Sequence, residues 1–382
     1  MNNNYENKVP RLKNFNDFGP DMLNKLKLIE TKCLKYLGIQ NYVNVDPPII
    51  ESADLFLRKS LGSTSSSTYT FFDQSSNQVS LRPDFTASVI RLIFSKEFIN
   101  IENKLSKVCY SGPVFRFTEE RSSSIQIHQV GAELLGKKGA DSDAEILINS
   151  IKCLDCAGIE NYKINLGHVG ILREIMSSSG YNSSIIEFFM SNIEIFNSKQ
   201  YRQELNRKAE QSKLLKSGQE INQKISRKEI AKNFKDQINS NIGLRTKDEI
   251  LDRYILKLTN QVTIENFINC IDLIKGMLDL KIEDLISENY PKNYQKSTSL
   301  SDLKLVIAFL LANGVKQESM KLNFTLTRNL AYYNGIVFDL LDKDGSIIGG
   351  GGRYDDLPLM LGYKFSEGCL GFAINLTKIA KI

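Results

Sequence analysis

From residue 18 to residue 38 the apolar positions Met22, Leu23, Leu26, Ile29, Cys33 and Leu37 recur at helical spacing. Pro20 suits the first turn and Gly38 the end, so the pattern predicts an amphipathic helix. Tyr42-Val-Asn-Val-Asp-Pro-Pro-Ile-Ile follows, a short strand closed by two prolines that supply no ladder donors, which fits a sheet edge or an interface. The run Gly62-Ser-Thr-Ser-Ser-Ser-Thr reads as a loop. Tyr69-Thr-Phe-Phe-Asp and Val79-Ser-Leu-Arg flank a turn at 75–77 and predict a hairpin. A helix over 83–94 is expected to pack Val89, Ile90 and Ile93. Strands over 107–117 and 125–135 and a helix over 141–157 follow. From about 183 to 315 the texture changes to Lys-, Glu-, Asn- and Gln-rich stretches with Ile and Leu at helical spacing. Residues 320–328 then alternate, with Leu322, Phe324 and Leu326 on one face and Asn323, Thr325 and Thr327 on the other, as in a half-buried strand. Residues 332–341 and 346–350 form another hairpin around Asp342-Lys-Asp-Gly, and a strand and helix over 369–382 end the chain.

Hairpin-paired strands with helices between them predict an α+β fold built on an antiparallel sheet flanked by helices. The expected organisation is a core whose first part is 1–182 and whose second part is 316–382, interrupted by a mostly helical insertion over 183–315.

Composition adds bounds rather than identity. The chain has 382 residues, 42% hydrophobic and 24% charged, enough to bury a core without staples. No apolar run reaches the ~20 residues that span a bilayer, and the first residues lack the apolar stretch of a secretory signal, so the cytoplasm is the expected location. The net charge of +5 is mild, and acids interleave with the bases. Six cysteines lie among apolar neighbours, and Cys153 and Cys156 form a lone C-x-x-C inside a helical pattern. With only His128 and His168 besides, a zinc site is short of ligands. Neither metal nor cofactor is expected.

Four segments carry candidate chemistry: Leu81-Arg-Pro-Asp-Phe-Thr-Ala; Gly112-Pro-Val-Phe-Arg-Phe with Ile127-His-Gln-Val-Gly-Ala-Glu; Thr327-Arg-Asn-Leu-Ala-Tyr-Tyr-Asn-Gly; and Gly349-Gly-Gly-Gly-Arg-Tyr-Asp-Asp-Leu. In this order they closely resemble the class II histidyl-tRNA synthetase core, over about residues 12–170 and 320–380. The resemblance implies a pocket for free histidine and dimerisation through the region matching Tyr42 to Pro48. The residues suit such a ligand. Arg328 can fork onto a carboxylate; Asp84 and Gln129 can accept from an ammonium. Glu133, four residues beyond Gln129 and so on the same strand face, can accept an imidazole N–H. Tyr332, Tyr333 and Tyr354 supply hydroxyls and ring walls, and the matching positions add Thr86 and Arg116. Asp84 stands where the family usually has Glu. Taken singly, each residue has a plainer reading: a solvated Gln or Glu, a surface Arg, a core tyrosine. The run from Gly349 to Gly352 lacks the Lys-Ser/Thr of a phosphate loop, and close packing explains it better.

The triphosphate grip of a synthetase is only partly matched. Arg116 occupies the position that meets the α-phosphate, but the loop Thr118-Glu-Glu-Arg-Ser-Ser-Ser is short and lacks a second basic residue near its end. Gly371-Phe-Ala-Ile-Asn-Leu-Thr-Lys stands where the family reads Gly-Phe-Ala-x-Gly-x-Glu-Arg, so Asn375, Thr377 and Lys378 replace glycine, glutamate and arginine. Lysine has no planar fork. Ala331 also replaces an Asp, and no anticodon-binding domain is expected after residue 378. This combination resembles the regulatory subunits of ATP phosphoribosyltransferase. That resemblance implies a non-catalytic chain that joins a short-form catalytic subunit in the first step of histidine biosynthesis, senses free histidine, self-associates as a dimer, and binds neither tRNA nor membrane. Two other readings stay open. One is a truncated synthetase or stand-alone histidine-activating ligase. The other is an RNA-binding module using the basic segment 208–235, which has no aromatic residue between Ala209 and Asn233 to stack on bases.

Overall fold

The structure, a computed structural model, describes residues 9–59, 68–95, 106–118, 124–212, 214–215, 262–326 and 332–382. The loop at 62–68 (but for Thr68), most of the 118–124 loop, most of the basic segment 208–235, Arg328 and Ala331 lie outside these residues.

Eleven strands are described: β1 (Val43–Asn44), β2 (Ile50–Ser52), β3 (Thr70–Phe72), β4 (Gln78–Leu81), β5 (Ser106–Phe115), β6 (Gln126–Leu135), β7 (Lys163–His168), β8 (Met320–Leu322), β9 (Ile336–Leu341), β10 (Ile347–Arg353) and β11 (Cys369–Asn375). Eight form one sheet in the order β1-β5-β6-β11-β10-β9-β7-β8, and β2-β4-β3 form a second. The fold is α+β, with the expected hairpins β3–β4, β5–β6 and β9–β10 in place. The large sheet is antiparallel through its centre, whereas both outermost pairs, β1–β5 and β7–β8, are parallel. Parallel partners need long crossovers, and here long stretches of chain separate each pair, so hairpin spacing does not reveal them.

Contacts divide the chain into two units: residues 1–170, 281–287 and 299–382, and residues 171–280 and 288–298. In the first unit the helix Pro20–Ile39 starts from Gly19 with Pro20 in its first turn and buries Leu26, Ile29, Cys33 and Leu37. The helix Thr86–Ile93 is shorter than expected because Pro83, Asp84 and Phe85 form the turn that enters it; it buries Val89, Ile90 and Ile93. The alternating stretch after residue 320 also stops early. Asn323 accepts hydrogen bonds from the Thr325 amide and hydroxyl, closing a side-chain turn that ends β8 at Leu322. In the second unit the described elements are helical apart from a single bridge between Leu215 and Val262. Its helices Ser183–Ser191 and Ile264–Leu278 are capped by Asn182 and Thr263 and pack Phe189 on Phe267. Among the described residues no helix is long and apolar enough to cross a membrane.

Candidate functional site

One face of the central strands is unusually bare of side chains. Glu133 on β6 pairs with Val108 on β5 and Gly371 on β11; Gly371 pairs with Gly352 on β10. Two residues along, on the same face, Tyr110, Gly131, Ala373 and Gly350 line up across the same four strands. A Cβ at Gly371 would lie 1.6 Å from Glu133 Oε2, and one at Gly131 would lie 2.6 Å from the Tyr110 hydroxyl. The glycines are therefore where the larger polar side chains of neighbouring strands lie down against the sheet. The glycine run is the interior of β10, its backbone paired with β9 and β11. It is a packing device rather than a phosphate cradle, in line with the expectation.

Glu133 is the centre of this face. Its side chain is 1% exposed. The Thr86 hydroxyl donates to Oε1 at 2.8 Å and the Tyr110 hydroxyl at 3.0 Å, while the Tyr354 hydroxyl donates to Oε2. Burial pushes the carboxyl up to about 7; the bonds from Tyr354, Thr86 and Tyr110 oppose that shift, and the charge of Asp84 adds to it. Burial, with Glu133 close by, holds the phenols of Tyr110 and Tyr354 far above the ordinary range, so both remain donors. Tyr110 is stacked on Phe85, centroids 4.2 Å apart. Tyr332, Tyr333 and Tyr354 form a ring cluster with centroids 4.7–6.5 Å apart.

The structure brings together Asp84, Thr86, Glu133, Tyr332, Tyr333 and Tyr354, and it adds Tyr110. Gln129 is on the same face of β6 as Glu133, 5% exposed, and its Oε1 has no donor among the described residues. Arg116 sits just past the end of β5, exposed, its Nε donating to the Pro83 carbonyl at 2.8 Å beside the Asp84 turn. Arg328 lies outside the described residues. Tyr110 escaped the sequence reading because a tyrosine on an apolar strand looks like core; its direct partner across the strands, Gly131, was the available signal.

The terminal motif is used internally. Asn375 accepts from the Lys378 amide and caps the last helix, Leu376–Ile379. The Thr377 hydroxyl accepts from the His128 amide at 2.8 Å, and Lys378 Nζ donates to the Ile347 carbonyl at 3.0 Å. On the opposite face of the sheet, Arg353 is buried against Asp143, with Nε–Oδ1 3.0 Å, and against the Ser142 hydroxyl. Burial raises Asp143 to about 6 although Arg353 opposes it. Among the described residues no group of three or more His, Cys, Asp or Glu is placed to hold a metal, and the cysteines are free thiols, all buried except the half-buried Cys156.

The raised Glu133 carboxyl sets an expected pH dependence of stability. Between its ordinary value of 4.5 and about 7 the folded chain holds a proton that the unfolded chain has released. That contribution is complete below the unfolded value and is lost as pH rises through the folded one, at a slope of up to about 1.4 kcal/mol per pH unit. Denaturant unfolding between pH 5 and pH 8 will show falling stability, and Glu133→Gln will flatten the fall. An unchanged slope in the variant would assign the proton elsewhere.

The histidyl-tRNA synthetase family model matches residues 14–275 and 278–379. The chain is 27% identical over 379 residues to the chloroplastic histidine–tRNA ligase of Gracilaria tenuistipitata var. liui, covering 97% of this chain and 73% of that protein. It is 25% identical over 374 residues to the ATP phosphoribosyltransferase regulatory subunit of Caldanaerobacter subterraneus subsp. tengcongensis, covering 95% and 80%. A solved structure described as an ATP phosphoribosyltransferase regulatory subunit/histidyl-tRNA synthetase from Bacillus halodurans C shares the fold, with a TM-score of 0.67 at 19% identity over 100% of this chain and 84% of that one.

Proposed function

Because the chain belongs to the histidyl-tRNA synthetase family, we propose that it keeps the amino-acid pocket of that family and serves as a regulatory subunit rather than a ligase. In this reading it binds free histidine, assembles with a short-form ATP phosphoribosyltransferase catalytic subunit, and transmits feedback inhibition. One contrast carries the proposal. Glu133 is fully cradled by three hydroxyls over Gly371, while Asn375, Thr377 and Lys378 are engaged in helix capping and strand contacts instead of facing a triphosphate. In the bound state Glu133 accepts the imidazole N–H, Gln129 Oε1 and Asp84 meet the ammonium, Arg328 forks onto the carboxylate, and the tyrosines wall the ring. Self-association would use the edge strand β1 and the residues after it, where Val43, Ile49 and Ile50 are exposed.

Feedback requires histidine to prefer one state of the complex, with a coupling of typically 1–3 kcal/mol. The test mixes the purified chain with a short catalytic subunit and follows phosphoribosyl-ATP formation. Activity is expected only with both chains, with histidine inhibiting the wild-type complex and failing to inhibit one carrying Glu133→Gln. A catalytic subunit indifferent to this chain would overturn the regulatory assignment.

A histidine-activating ligase is the second reading, favoured by the retention of Arg116 beside the Asp84 turn and by relatives named as ligases. Histidine-dependent ATP–pyrophosphate exchange by the chain alone separates the two, since the regulatory reading requires none.

A further inference from the structure

We propose that the ring held against Glu133 is bound as a cation: the site selects an imidazolium and discriminates against a neutral ring of the same shape. The inference rests on the histidine reading above and adds the charge state of the ligand.

Asp84 and Thr86 face Glu133 from the turn and the helix Thr86–Ile93, Tyr110 from β5, and Tyr332 and Tyr333 from the segment before β9. Tyr354 faces it from beyond β10, and Cys369 and Gly371 from β11. Among these groups there is no Lys, Arg or His, and Asp84 brings a second negative charge. Among the described residues of this unit the two buried arginines are held by other groups: Arg82 by the Pro47 and Pro113 carbonyls and Asp46, and Arg353 by Asp143. Every contact Glu133 makes among the described residues comes from a neutral hydroxyl.

Three hydroxyl donors, two on Oε1 and one on Oε2, favour the ionised form, since each bond opposes the upward pull of burial on the carboxyl. An ionised carboxylate in a low-dielectric interior is costly unless a positive charge meets it. A neutral N–H at Oε2 would add a fourth dipole and leave the charge uncompensated, whereas an imidazolium N–H supplies both bond and charge. The filled site thus holds one proton between ring and carboxyl, and the hydroxyl pattern assigns it to the ring.

Free Glu133 titrates at about 7 and a free imidazole at about 6.5. At pH 8 both partners arrive without the proton and binding draws one from solvent. At pH 5.5 both carry one, and binding releases one.

Calorimetry of the full chain with L-histidine at pH 8, in two buffers of different ionisation heat, is expected to show uptake of about one proton per histidine bound. The analogue β-(1,2,4-triazol-3-yl)alanine, whose similar ring stays neutral, is expected to bind roughly tenfold or more weaker, the difference between a charge-assisted and a neutral hydrogen bond. In Glu133→Gln the preference and the proton uptake should both disappear. Histidine binding without proton uptake, or triazole binding as tight as histidine in the wild-type chain, would overturn the charge assignment and leave the histidine reading standing. The absence of any saturable histidine heat would overturn both.

Discussion

Gly371→Ala is expected to weaken histidine binding about 100-fold and to destabilise the chain by about 2–3 kcal/mol, the scale of overpacking in a tight core. The added carbon would sit 1.6 Å from Glu133 Oε2, 2.6 Å from its Cδ and 2.8 Å from the Ala132 carbonyl oxygen. The backbone side cannot yield, because Gly371 and Glu133 are directly paired between β11 and β6. The carboxylate must therefore move, which breaks its bonds from Thr86, Tyr110 and Tyr354 together. Losing a charge-assisted contact to the ligand corresponds to about a 100-fold loss of affinity. Chemical unfolding and histidine titration of the variant measure both effects. The cause is checked by the double variant Gly371→Ala with Glu133→Ala, in which truncation vacates the space the methyl needs. Its destabilisation should be clearly less than the sum of the two single changes. Strict additivity would show that the glycine serves something other than room for Glu133.

The largest stability loss is expected on the other face of the sheet. Arg353→Met should cost about 3–5 kcal/mol, because it leaves Asp143 buried with no cation and removes the donor to the Ser142 hydroxyl. Asp143, already raised to about 6 by burial, would move higher, and stability would then fall more steeply as pH rises through the neutral range. Adding Asp143→Leu should recover most of the loss, since an apolar pair of similar volume replaces a buried ion pair at little net cost. Thermal unfolding of the single and double variants decides the matter. A single variant as stable as the wild type would mean that water reaches Asp143.

Local patterns in the sequence carried a good deal of this architecture. Alternation and turn residues located β3–β4, β5–β6 and β9–β10, and the four-residue spacing of Gln129 and Glu133 placed both on one face of β6. Features set by long-range pairing were not legible. The parallel edge pairs depend on which distant strand arrives beside β5 or β7. Tyr110 looks like any core aromatic until Gly131 is known to lie opposite it. Arg353 stands next to Tyr354 in the sequence, yet its guanidinium is bound on the far side of the sheet by Asp143, 210 residues earlier. Asn323 looked like the polar half of a strand, and its side chain instead folds back onto Thr325 and stops the strand. In each case the deciding partner is either far away in the chain or a side chain competing locally with the backbone ladder.

The central claim is that an amino-acid pocket centred on Glu133 persists beside a terminal motif turned to structural use. Equilibrium dialysis of the chain against radiolabelled L-histidine tests it most directly. The account predicts saturable uptake at a single class of site, undiminished by excess glutamine or lysine and weakened roughly tenfold or more by Glu133→Gln. Uptake that never saturates, or that persists unchanged in the Gln variant, would contradict it.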